Sequence, residues 1–552
     1  MTPRVRDALF AISLAFVLAV ALTWPLAARL GSAGRIDSGD GRHGVWNVAW
    51  VAHALTTAPS TLFDANIFFP HDNALAFSEA NLVAGVLGIP VWLVTGGNPY
   101  ATFNAVVLMA FMLAGLCAFL LARTVGAGRG GAAVAGVIYG CSPFMLAHLP
   151  HIQLLMTFGP ALSLAMLHRF VSQPTTRRAL ALGLALAVTG LACAYYGIFS
   201  GLIVSIGVLW FAGTDGHWRS PAYWLRAALA AAIVLLVVLP FFVPYFDMRE
   251  EGFARSLDEA RRYSTVGPAY LASAVHVHKW MLPMLGEWRE VLFPGFQAIL
   301  LSVFLVAVTL RSRRAADVRL VGFYVVMMAI AFWISLGPDA GLYTALYHAL
   351  PAFSFLRAPA RMGLLVTLGM AILAGLAITS LSARFRRHSV AIIALSLALA
   401  VIESWAGPIT YADAPPVGPV YRRLATVPHT SVAEFPFYQG SVDRHRQTEY
   451  MLMSTFHWQP LLNGYSDHFP AEYLEIKPAL ADFPSPQAIE TLRETQVRWV
   501  VVHFSRYPAA RSQALRRQLR AMDTQLRLAI DRRDASLYEV IASRPPGASR
   551  QP

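Results

Sequence analysis

Residues 35–70 read RIDSGDGRHGVWNVAWVAHALTTAPSTLFDANIFFP. This polar stretch follows an apolar segment, Ala8 to Ala28, that is long enough to cross a bilayer and is read as a retained signal anchor. Two carboxylates, Asp37 and Asp40, stand three residues apart. Behind them His43, Trp46, Trp50 and His53 recur at spacings of three, four and three, which places them on one face of a short helix. A helix lined with Trp and His, too short and too polar to span, is expected to lie flat at a membrane–water interface. Acids placed beside it would be positioned to act at the membrane surface.

Composition sets the class. Of 552 residues 56% are hydrophobic and only 14% charged, with a mean hydropathy of +0.51, which marks a polytopic α-helical membrane protein. The net charge of +13 does not indicate nucleic acid. Its arginines gather in short runs between apolar segments, such as RSRR at 311–314 and RFRR at 384–387, which is the positive-inside pattern. Cys117, Cys141 and Cys193 all fall inside apolar segments and read as packing residues, without disulfide or zinc spacing.

Twelve apolar segments are candidate spans. Placing the basic links 168–178, 214–220, 311–319 and 383–388 in the cytoplasm puts loop 246–295 and everything after 405 outside. Parity then requires one segment not to cross. The suspects are 79–96, short and carrying Gly85, Gly88 and Pro90, and the stretch 179–213, interrupted at Tyr195-Tyr196-Gly197. The expectation is about eleven spans, N-terminus inside and C-terminus outside. Residues 1–405 would form the membrane domain, with external loops 29–78 and 246–295, and 406–552 a soluble extracytoplasmic α/β domain. In that domain TSVAEFPF and VRWVVVH read as buried strands, PSPQAIETLRET as a helix capped by Ser485, and SQALRRQLRAMD as a second helix. RLAIDRR with ASLYEVI reads as a terminal hairpin around Asp534.

The residues that could do chemistry lie in the links. Asp37 and Asp40 are either solvated turn acids or a general base and its helper, Asp40 being favoured because it lies nearest the helix N-terminus. Glu79 either starts a helix or joins Asp40 in a second-shell or metal-binding role, which keeps a divalent cation open as a cofactor. His148, His151 and Gln153, in HLPHIQLL, are interfacial polar groups or substrate contacts. Arg357 and Arg361 flank Ala-Pro-Ala before an apolar span on the expected outer side, against the usual charge bias. They either anchor headgroups or bind a lipid phosphate through paired hydrogen bonds. Lys279, one of two lysines in the chain, lies in the charged external loop, which begins DMREEGFARSLDEARRYS.

These motifs together resemble the GT-C class of membrane glycosyltransferases, which use polyprenyl-phosphate sugars and include the protein O-mannosyltransferases and the aminoarabinose transferases of lipid A. The carriers of the resemblance are Gly39-Asp40 followed by Trp46, Trp50 and His53, then LFDANIFFPH, HLPHIQLL, LRAPARM, LLNGYSDHFP and VRWVVVH. The resemblance implies a catalytic acid in the first external loop, carried here by Asp40 with Asp37 assisting, although the paired acids of the mannosyltransferases are missing. It further implies inverting transfer of a sugar from polyprenyl phosphate to an acceptor hydroxyl on a lipid, glycan or protein, at the outer face of the bacterial cytoplasmic membrane. Arg357, Arg361 and Lys279 would face the leaving phosphate, with His53, Trp50, Glu79, His148, His151 and Gln153 completing the substrate site. A lipid or glycan flippase and a non-catalytic envelope assembly protein are the alternatives. The near absence of charge inside the spans counts against a transporter.

Overall fold

A computed structural model describes residues 3–250, 255–440 and 442–541. The run 249–254 of the external loop, apart from the backbone of Arg249 and Glu250, lies outside the described residues. The chain forms two compact units that cut across the linear sequence. One comprises 1–30, 81–87 and 104–410; the other comprises 31–80, 88–103 and 411–552.

The first unit is a helical bundle. Among the described residues eight helices are long and apolar enough to cross a membrane, including Val5–Leu22, Pro99–Thr124, Ala194–Thr214, Pro221–Met248 and Ala315–Ser335. Shorter helices, Thr176–Ala192, Phe296–Ser312 and Ser389–Ile402, pack with them. The interruption expected at Tyr195 falls at Cys193, between Thr176–Ala192 and Ala194–Thr214. Many apolar side chains face outward, including Phe16, Val17, Leu225, Leu235 and Leu236, as suits contact with lipid.

One ion-pair cluster clarifies the front of the chain. Asp7, in helix α1 (Pro3–Leu22), pairs with both Arg123 and Arg129. At the opposite end Asn104 donates to the Leu30 carbonyl at 2.7 Å. Helix α1 and Pro99–Thr124 therefore run antiparallel. The segment suspected on parity grounds is the helix Leu82–Val94, with Pro90 inside it. At 13 residues it is roughly 20 Å long, short of the ~30 Å hydrocarbon core.

Small residues let the bundle close. A Cβ on Gly131 would lie 2.1 Å from the Gly375 carbonyl oxygen, and one on Gly140 would lie 2.5 Å from the Gly115 nitrogen. These are backbone-to-backbone approaches between helices that exchange no hydrophobic effect with lipid, so packing itself holds them. Gly131→Ala is expected to destabilise the protein by about 1–3 kcal/mol through overpacking. This would be read as a lowered melting midpoint in detergent; an unchanged midpoint would show that the contact is not tight.

The second unit contains a four-stranded sheet. With β1 (Ala33–Gly34) and β2 (Ala412–Asp413) forming a separate two-stranded pair, the sheet consists of β3 (Val432–Phe435), β4 (Trp499–His503), β5 (Leu526–Ile530) and β6 (Ala535–Val540). Its order is β3-β4-β6-β5; β3 and β4 are parallel, and β6 is antiparallel to both its neighbours. The expected helices are Pro486–Glu494, capped by Ser485 through the Ala488 N–H at 3.1 Å, and Ala509–Arg520. The terminal hairpin is β5–β6.

The early polar stretch belongs to this unit. Phe69 N–H donates to the Leu461 carbonyl, Leu461 N–H to Asn66, and His468 N–H to Phe77, so the loop runs alongside 461–468. The expected interfacial helix is helix α2 (Gly39–Thr57), and here the expectation fails. Trp46 is 1% and Trp50 7% exposed. The Trp46 N–H donates to Asn66 Oδ1 at 3.1 Å and the Trp50 N–H to the Leu62 carbonyl at 2.9 Å. The aromatic stripe is core, because the indole N–H groups find partners within the protein instead of in headgroups.

Candidate functional site

The first unit gathers cations and aromatics from four distant segments. Arg357 and Arg361 lie in and just before the turn Pro359–Gly363, which leads into helix Leu364–Arg384. The Arg361 guanidinium stacks over Tyr195 at 4.3 Å, and Arg357 over Tyr263 at 5.3 Å. The Tyr195 hydroxyl accepts from the Arg357 backbone N–H at 3.1 Å. Such stacking holds a guanidinium's plane while leaving its edge N–H groups for hydrogen bonding.

Beside them is an ion pair. His148 Nε2 lies 3.3 Å from Glu290 Oε1, and both side chains are largely buried. His148 Nδ1 lies 2.8 Å from the Phe144 carbonyl oxygen, and the His151 ring is 5.8 Å from that of His148. Glu290 Oε1 also accepts from the Val291 N–H at 3.1 Å. Burial opposes ionisation of Glu290, but the His148 hydrogen bond and charge, the Val291 N–H and the Arg361 charge together hold its carboxyl below the ordinary range. Four of the expected residues, His148, His151, Arg357 and Arg361, thus share one neighbourhood. Gln153 lies nearby in chain, on Ile152–Leu155, and its side chain makes no hydrogen bond among the described residues. Lys279 is exposed in the segment His276–Met284 and makes no ion pair among the described residues.

In the second unit Asp40 occupies the first turn of helix α2, where the helix dipole favours a carboxylate. Ser38 caps that turn, its Oγ accepting from the Gly41 N–H at 3.1 Å. Asp40 is exposed. Asp37 is exposed as well and is tied to Arg35 at 3.1 Å. Slight burial works against ionisation of Asp37, but the Arg35 hydrogen bond and charge outweigh it and lower its pKa.

Behind Asp40 is His43, half-buried and 3.5 Å from Ser78 Oγ. Burial depresses its pKa, while the charges of Asp467 and Asp40 both push back. His53 stacks on Trp458 with ring centroids 4.4 Å apart, among Trp50 and Trp92, and burial lowers its pKa too. Glu79 is half-buried, and its carbonyl accepts from Asn47 Nδ2 at 3.3 Å.

Sequence reasoning missed Glu290 in the first unit and Asp467 in the second, and took Tyr195 only as a residue at a span end. Asp467 stood in view within LLNGYSDHFP, but nothing local tied it to Asp40, 427 residues away. Among the described residues no group of three or more His, Cys, Asp or Glu is placed to hold a metal ion.

Known protein-family models do not match the chain, nor does any curated protein. Solved structures do. The archaeal oligosaccharyltransferase AglB from Archaeoglobus fulgidus, determined with an inhibitory peptide and a dolichol-phosphate, superposes with TM-score 0.52 at 12% identity. The match covers 91% of this chain and 69% of AglB. The arabinofuranosyltransferase AftD from Mycobacteria superposes with TM-score 0.55 at 14% identity, over 98% of this chain. This chain spans only 40% of AftD. The likeness shows the fold alone: the helical bundle and the small C-terminal sheet are arranged in the chain as in these two transferases.

Proposed function

We propose that this chain is an inverting GT-C glycosyltransferase working at the outer face of the cytoplasmic membrane. An acceptor hydroxyl attacks the anomeric carbon of a polyprenyl-phosphate sugar, the carbon–oxygen bond to phosphate breaks, and the prenyl phosphate departs with the electron pair. Asp40 takes the hydroxyl proton. Arg357 and Arg361 stabilise the charge that grows on the phosphate.

The observation that carries this reading is the assembly of Arg357, Arg361, His148 and Tyr195 from separate segments on a GT-C fold. Two guanidiniums placed over tyrosine rings are suited to bind a phosphate. The dolichol-phosphate bound by AglB, which shares the fold, is a ligand of the same chemistry. Residues 1–405 would house the donor lipid, and 406–552 would lie outside the membrane and hold the acceptor.

The test is mass spectrometry of envelope glycolipids and glycoproteins from cells lacking the protein. One sugar should disappear from one glycoconjugate and return on complementation. An unaltered envelope glycome, with lipid-linked sugar not accumulating, would refute the reading.

A further inference from the structure

A carboxylate is an odd neighbour for a phosphate site, because two anions repel. Glu290 stands within the influence of Arg361 nonetheless, largely buried. Its loop is fixed: Leu292 N–H donates to the Ala269 carbonyl at 3.0 Å and Phe293 N–H to Ala272 at 3.3 Å, and Val291, Leu292 and Phe293 are all buried. Both polar contacts of the Glu290 side chain among the described residues fall on Oε1, from His148 Nε2 and the Val291 N–H. Oε2 makes no hydrogen bond among the described residues.

The histidine explains how the anion is tolerated. Both of its ring nitrogens face atoms that only accept, the Phe144 carbonyl and the Glu290 carboxylate. The His148 hydrogen bond and charge thereby favour the ionised carboxyl of Glu290 and hold one of its oxygens in place. They also fix the carboxylate so that Oε2 is offered with its direction set.

We infer that Glu290 is the sugar-recognising carboxylate of the donor site, its Oε2 accepting hydrogen bonds from ring hydroxyls of the transferred sugar. In a polyprenyl-phosphate sugar the ring begins one bridging oxygen from phosphorus. A group beside the phosphate cations therefore meets the hydroxyls nearest the anomeric carbon. A carboxylate whose sugar hydroxyl is missing forgoes a charge-assisted hydrogen bond, so the site discriminates against sugars lacking the hydroxyl it addresses. This inference rests on the phosphate-site reading above.

Full-length protein in detergent would be titrated with farnesyl phosphate and with a panel of farnesyl-phosphate hexoses and pentoses. The wild type should bind at least one sugar-bearing probe roughly ten- to hundredfold more tightly than farnesyl phosphate, the range of a hydrogen bond to a charged group. Glu290→Gln should erase that ratio while leaving farnesyl phosphate bound as well or better, a like charge having gone. Arg361→Ala should weaken both probes together and keep the ratio.

A Glu290→Gln protein that keeps the ratio, or a wild type that never prefers a sugar, overturns the inference and leaves the phosphate reading standing. Arg361→Ala binding both probes as the wild type does would remove the phosphate reading itself, and this inference with it. If Glu290→Gln does not fold, monodeoxy analogues of the preferred sugar test the wild type. At least one must lose the preference, and uniform binding of all of them overturns the proposal.

Discussion

Asp40→Asn is expected to lower sugar transfer by roughly 10²–10⁴-fold, the contribution of a positioned general base. The substitution keeps the shape of the side chain and its place in the first turn of helix α2, so the fold should be unaffected. It removes only the capacity to accept the acceptor proton. The measurement is restoration of the missing glycoconjugate in cells lacking the protein, with the melting midpoint of the purified variant as a control for folding. Asp37→Asn is the matched comparison. That carboxylate is exposed and engaged by Arg35, and its loss should cost little activity. Full activity in Asp40→Asn, or equal loss in the two variants, would remove Asp40 from the base role.

Arg361→Ala is expected to raise the barrier by about 2–4 kcal/mol, the range for removing one preorganised donor from developing charge. The leaving group is already anionic, so the fork of N–H groups matters as the bridging oxygen gains charge. Arg361→Lys should recover only part of the loss. A lysine keeps the charge but has neither the planar fork nor the stacking that Tyr195 provides at 4.3 Å. Initial transfer rates in membranes, read against donor concentration, separate the outcomes. A variant whose rate falls at saturating donor has lost transition-state stabilisation; one whose rate is unchanged at every concentration would show that Arg361 does not bind the phosphate.

Much of the architecture was legible because its signals are local. Apolar runs, arginine links and strand-like segments such as VRWVVVH each depend on a few neighbouring residues, and each appears as a helix, a helix end or a strand. Even the odd segment 79–96 could be suspected from charge parity. The antiparallel pairing of helix α1 with Pro99–Thr124, by contrast, rests on Asp7 and Arg123, 116 residues apart.

The stripe of Trp46, Trp50 and His53 was misread for an equally physical reason. Periodicity tells which side chains share a face, but not whether that face meets lipid, water or protein. Here the partners of the indole N–H groups are Asn66 and the Leu62 carbonyl, and His53 stacks on Trp458 from a segment some 400 residues later.

By itself, the sequence determined that this is a multi-span helical protein with a small α/β domain at its C-terminus, and which residue types could carry charge near the membrane. Only the tertiary structure decided that the early polar stretch folds with residues 411–552, and that Glu290, His148, Tyr195 and Arg361 meet. The reason is that a helix follows from neighbours within a few residues, whereas a site needs groups brought together by packing across hundreds.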